Sequence, residues 1–320
     1  MSLPEYTDVY NNFDPAALEA DILDGRLDSG LNVCHEICDK WADDPSRVAL
    51  YYETEDGGDG TLTFAELKEA SARFANYLKS QGIGKGDRVA ALLPRTPELL
   101  IVIAGTLRAG AVYQPLFTAF GSGAIEYRFE RASTKLVVTN PENYPKLNDV
   151  KVCPPVVGVN AGEIGADIPY FEETLAAQSS DFEPVMIKGD DPFLQMFTSG
   201  TVGKSKGVAV PAKALLAFYV YMKYAIDLQD GDRFWNVADP GWAYGLYYAV
   251  VGPLLMGHAT HFNPGGFTPE STYDMIRKYK ITNLAAAPTA YRLLKANDHV
   301  LPEGENLGLR VASSAGEPLN

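Results

Sequence analysis

A chain of 320 residues has room for two globular units or one large one, and at 46% hydrophobic residues it can bury a substantial core. Its formal net charge of -14 excludes a broad basic surface for a DNA or RNA backbone, but not a small anionic ligand held in one local pocket. No apolar run reaches the roughly 18 residues that cross a bilayer, and the acidic, polar N-terminus lacks the pattern of a secretory signal.

In chain order, the segments alternate in type. Cys34 and Cys38 fall four apart on a predicted helix and share a face. A metal site would need more ligands than these, so they read as buried thiols. With Cys153 they make a sparse, odd set of three, which fits a reducing compartment, and a cytoplasmic location is expected. Residues 47–53 (RVALYYE) predict a strand that ends in the turn DGGDG. Residues 62–82 predict a helix, with Thr63 and Glu66 in a capping-box pattern and Gly82 as its stop. Leu67, Ala70, Phe74 and Tyr77 lie on its apolar face. A buried strand at 87–94 precedes an apolar helix at 97–110; a helix at 124–132 and a strand at 135–140 follow. Later, PFLQMF predicts a strand, 212–228 one long helix, and 272–280 another helix. Residues 281–288 and 309–316 predict buried strands.

Strands alternating with helices imply layered α/β subdomains with largely parallel sheets. The stretch 141–190, rich in Pro, Gly, Asp and Glu, is the weakest in pattern and is expected to separate two units. The division expected is an N-terminal extension at 1–30, a first α/β subdomain at 31–185 and a second at 186–320.

The segment Phe197–Val210, FTSGTVGKSKGVAV, sets hydroxyls, glycines and lysines between two apolar runs. Glycines let several backbone N–H groups converge on one anion, hydroxyls add donors and lysines add charge, which suits a polyphosphate. It is not a Walker loop, because Thr198 stands where the first glycine belongs and the following GVAVP reads as a strand. Composition alone leaves open a plain hairpin turn with solvated lysines.

This loop resembles the signature of the adenylate-forming enzymes, which include acyl-CoA synthetases, in the form Thr-Ser-Gly-Thr-Thr-Gly-x-Pro-Lys-Gly. Here Val202 replaces a threonine and Ser205 the proline, while the glycines and the final lysine stand. Four further blocks match in order: 62–116 resembles the family's first large block, and VADPGWAYGLYYAVVGPLLMGHAT at 237–260, APTAYRLL at 287–294 and SAGEPLN at 314–320 are similar to the acetyl-CoA synthetase branch.

The resemblance implies an ATP-dependent acid–thiol ligase that works through an acyl-adenylate, with ATP, Mg²⁺ and CoA as partners of a short- to medium-chain or aromatic acid. It implies that Thr198, Ser199, Gly200, Thr201, Gly203 and Lys206 cradle the β- and γ-phosphates, with Lys206 the catalytic lysine of the loop. Gly316, Glu317 and Pro318 would line the adenine, and Trp242, Ala243, Tyr244 and Ala315 the acyl pocket. Taken alone, GEP reads as a strand-ending turn, and core packing is the competing reading of Trp242. Asp239 is expected to cap a turn, and His258 and His261 lack the further ligands a metal would need. The family's Thr-Glu motif, whose Glu helps hold Mg²⁺, and its C-terminal lysine domain are not in this sequence. The chain is therefore expected to be an incomplete large N-terminal domain, with little or no turnover alone. A non-catalytic nucleotide- or acyl-binding module and an adenylation domain serving a carrier protein are the competing readings.

Overall fold

The computed structural model describes residues 4–160, 162, 164–198 and 205–319. Among them, twelve strands form in chain order: β1 (Val48–Glu53), β2 (Asp59–Thr63), β3 (Arg88–Leu92), β4 (Val112–Pro115), β5 (Leu136–Thr139), β6 (Val156–Gly158), β7 (Pro192–Thr198), β8 (Lys206–Pro211), β9 (Phe234–Asn236), β10 (Thr260–Phe262), β11 (Asn283–Ala286) and β12 (Val311–Ser314). They build three sheets, ordered β6-β5-β3-β4-β7-β8, β12-β11-β9 and β10-β1-β2. Within the six-stranded sheet every pair is parallel except β7 with β8, and the β12-β11-β9 sheet is wholly parallel. The fold is thus the mixed α/β architecture with largely parallel sheets that the alternation of segments predicts.

Parallel sheets are covered on both faces, and β3 shows how the sequence meets that demand. Val89 and Ala91 pack into one core with the helices Phe64–Ser80 and Pro97–Arg108. Ala90 and Leu92 pack on the other side, against Ile125 and Phe129 of the helix Ser122–Ala132. The Phe64–Ser80 helix starts as its sequence predicts. The Thr63 hydroxyl accepts from the Glu66 amide at 3.2 Å, and the Glu66 carboxylate accepts from the Thr63 amide at 2.8 Å.

Where the chain departs from expectation, pairing is the reason. The boundary expected at residues 185/186 is crossed by two sheets. Strands β7 and β8 complete the sheet begun by β3 and β4, and β1 pairs in parallel with β10. Strand β12, expected to be buried, alternates between half-buried and exposed, because it has β11 on one side only. The helix expected over 212–228 runs as an α-helix at Ala214–Val220 and then widens into a π-helical turn at Tyr221–Ala225. A second π-helical stretch, Leu246–Val251, faces it, and the Tyr221 and Tyr248 rings stack at 4.0 Å between them.

The helix carrying Cys34 ends at Ile37, so Cys38 lies just past it, yet both thiols are buried. They gather with Asp39, ligand atoms within 4.8 Å of one another. Asp39 is already committed. Arg108, 2% exposed, donates to one carboxylate oxygen through Nη1 at 2.8 Å and to the other through Nη2, and Nε donates to Ser71 at 3.0 Å. The cluster is a buried ion pair flanked by thiols. No helix among the described residues is long and apolar enough to cross a membrane.

Candidate active site

Ligands of open parallel sheets bind beyond the carboxyl ends of the strands. The candidate residues collect at such ends. In the six-stranded sheet, β7 leads into the glycine-rich loop and β8 leaves it, with Thr198 facing Lys206 at the base of the hairpin. Both are exposed. Ser199, Gly200, Thr201 and Gly203 lie outside the described residues. Lys206 is the first residue of β8, so the lysine of the motif sits on the strand and not in the turn.

The hairpin base is anchored from the helix Ser122–Ala132. The Tyr127 hydroxyl donates to the Ser205 carbonyl at 2.7 Å, and its ring meets Phe197 edge-on at 6.3 Å. Arg128, 8% exposed, lies over Phe197 at 5.5 Å and over Phe120 at 4.0 Å. Phe120 and Phe117, in the loop that leaves β4, contact Trp242 at 5.3 and 5.5 Å. A continuous line of rings and one guanidinium therefore joins the hairpin base to the segment expected to guard the acid.

That segment leaves the carboxyl end of β9 as a tight turn. The Asp239 carboxylate accepts from the Gly241 amide at 2.7 Å, the turn-capping role expected of it. A Cβ at Gly245 would stand 2.1 Å from the Asp239 carbonyl oxygen, so only glycine allows the chain to fold back this closely. Arg95 fastens the strand end, donating to the Val237 and Gly265 carbonyls at 3.0 and 2.8 Å. Trp242 is 46% exposed, which sets aside core packing as its reason to be there. Ala243 and Tyr244 are half-buried behind it.

Strand β12 ends at the same edge, and Ala315–Pro318 follow it. Gly316 has φ +113°, a conformation that favours glycine. Glu317 accepts from Thr289 at 2.6 Å and from Arg292 at 3.0 Å, and Arg292 also donates to the Pro318 carbonyl at 2.8 Å. These bonds tie the loop to the helix Pro288–Ala296 and hold the Glu317 carboxyl below the usual range, the Thr289 hydrogen bond foremost.

The donor set fits an anion: an exposed lysine and a hydroxyl at the mouth of a glycine-rich hairpin. It does not by itself make a Mg²⁺ site. A hard cation wants free carboxylate oxygens, and Glu317, the one carboxylate among the sequence-predicted site residues, is spent on Arg292 and Thr289. The histidines are structural too. His261 Nδ1 donates to the Phe234 carbonyl at 2.8 Å, and burial pushes its pKa down to about 4. Burial likewise lowers His258.

Sequence reasoning missed Tyr127, Arg128, Phe117, Phe120, Arg95, Thr289 and Arg292. The available signal was position. QPLFTAFGSG leaves a buried strand at its carboxyl end, where crevices open.

The AMP-binding enzyme family model matches residues 38–320. The chain is 36% identical to an acetyl-coenzyme A synthetase of Bacillus subtilis, covering 100% of this chain and 57% of that protein. With acetyl-coenzyme A synthetase 1 of Debaryomyces hansenii it shares 34%, covering 95% of this chain and 50% of the other. The crystal structure of a Brucella canis acyl-CoA synthetase superposes with a TM-score of 0.95 at 50% identity, over 99% of this chain and 58% of that one. The chain spans about half the length of the relatives it matches. It belongs to the AMP-binding enzyme family, in its acyl- and acetyl-CoA synthetase-like branch.

Proposed function

We propose that this chain supplies the nucleotide and acid sites of an AMP-forming acyl-CoA synthetase that joins a short- to medium-chain or aromatic acid to CoA. The observation that supports it most is convergence: the hairpin base, Trp242–Tyr244 and Ala315–Pro318 all stand at carboxyl ends of parallel strands, and the Phe117, Phe120 and Trp242 rings link the first two.

In this reading, Lys206 and Thr198, with Ser199, Gly200, Thr201 and Gly203, neutralise and orient the β- and γ-phosphates. Gly316, Glu317 and Pro318 lie along the adenine. A carboxylate oxygen of the acid attacks the α-phosphorus, and pyrophosphate leaves with the electron pair of the broken P–O bond. The CoA sulfur then attacks the acyl carbon and AMP departs. Positioning and charge neutralisation dominate the first step. Trp242, Ala243, Tyr244 and Ala315 contact the acid. Mg²⁺ would arrive with the nucleotide.

The full-length protein should convert ATP, CoA and an acid into AMP, pyrophosphate and a thioester. Formation of ADP, or thioester formation without ATP, would contradict the reading.

A further inference from the structure

Among the described residues, the amide nitrogen of Asn236 and the Ser313 hydroxyl are buried near the acid segment without a hydrogen-bond partner, and the Tyr244 hydroxyl has only the Tyr221 hydroxyl beside it. They are not scattered. Asn236 on β9 and Ser313 on β12 both stand in register with Ala285 on β11, one strand to either side. Residues level with one another in a sheet point to the same face. Asn236 and Ser313 therefore flank a residue that presents only a methyl group.

That face is covered by Met222 and Ile226, with Tyr221 and Tyr248 partly buried over it. Tyr244 leans edge-on against Tyr248 at 5.5 Å and Tyr221 at 6.5 Å. Asn236 and Ser313 thus share one sheet face, and the Tyr244 ring adds to the aromatic wall formed where the two π-helical stretches meet it. Asn236 is 2% exposed, and its Oδ1 accepts from the Ala238 amide at 2.9 Å. This bond fixes which end of the amide is occupied and leaves Nδ2 as the free end. An NH₂ group can only donate, so its missing partner is an acceptor. The two hydroxyls can donate or accept.

We propose that the acid activated at this site carries an acceptor oxygen on its tail, a hydroxyl or keto group, bound by Asn236 Nδ2 with the Tyr244 and Ser313 hydroxyls beside it. This rests on the acid-activating reading given above and narrows its substrate class. A plain hydrocarbon tail would cover the patch and leave the donors unpaired, whereas an oxygenated one satisfies them. Sites built around such donors reject analogues that lack the matching group far more strongly than apolar pockets separate chain lengths.

The test compares matched acids with the full-length protein: hexanoate against 5-oxohexanoate, and benzoate against 4-hydroxybenzoate, by kcat/KM for AMP release. The expected result is a preference of about tenfold or more for the oxygenated member of at least one pair. Asn236→Leu should bring that ratio close to one. Equal or better use of the plain acid in both pairs overturns the proposal, as does a preference that survives Asn236→Leu. It would leave the ligase reading standing. Turnover of no acid at all would sink the ligase reading and the tail preference with it. The matched pairs are compared first on the unaltered protein, so that comparison can overturn the proposal even where Asn236→Leu fails to fold.

Discussion

The Tyr127 hydroxyl donates to the Ser205 carbonyl at 2.7 Å while its ring meets Phe197 edge-on. One side chain from the helix Ser122–Ala132 thus grips both sides of the hairpin that carries the glycine-rich loop. Tyr127→Phe keeps the ring and removes the bond. A net hydrogen bond contributes on the order of 1 kcal/mol, so Mg·ATP binding measured by calorimetry should weaken about fivefold with little loss of stability. Unchanged affinity would mean that the loop does not depend on this anchor.

Lys206 faces Thr198 at the hairpin base, and it stands at the lysine position of the family motif. Lys206→Ala should weaken Mg·ATP binding far more than Lys204→Ala, which changes the lysine at the variable position of the motif. Equal effects in the same titration would show that the phosphate-binding role has been given to the wrong lysine.

The Arg108–Asp39 pair is buried and bonded through both carboxylate oxygens. Removing one partner leaves the other charge unpaired. Asp39→Ala should cost about 3–5 kcal/mol in urea unfolding. Replacing both residues with apolar ones of similar size should cost much less than the sum of the single changes. Additive losses would contradict the pairing.

Much of this fold was legible because its elements carry their own punctuation. Thr63, Glu66 and Gly82 mark both ends of one helix. The unbroken apolar run at 89–93 marks a strand covered on both faces. What stayed illegible was pairing across distance. Nothing in residues 192–211 says that they join β4, or in 48–53 that they join β10. The candidate site was legible where a local motif exists, at Thr198, Lys206 and Gly316–Pro318. It was illegible where the contact is tertiary: Tyr127 lies 78 residues from Ser205, and only the fold brings Phe117 and Phe120 to Trp242. The π-helical turns were hidden as well, since their apolar pattern reads as ordinary helix.

His261 offers a pH signature unconnected with catalysis. Burial lowers its pKa from 6.5 to about 4, and among the described residues Nε2 has no partner with which to share a proton. The unfolded chain therefore binds this proton more readily than the folded one. Its contribution is fully present above pH 6.5 and is lost as pH falls towards 4, a span of order 3 kcal/mol. Denaturation midpoints should fall over that window, and more shallowly in His261→Phe. An equal slope in the variant would place the titrating group elsewhere.

The measurement that bears most directly on the central claim is ATP–pyrophosphate exchange by the full-length protein, with and without carboxylic acids. The account predicts exchange that requires an acid and is abolished or strongly reduced by Lys206→Ala. Exchange that ignores the acid, or none with any acid despite tight ATP binding, would contradict it.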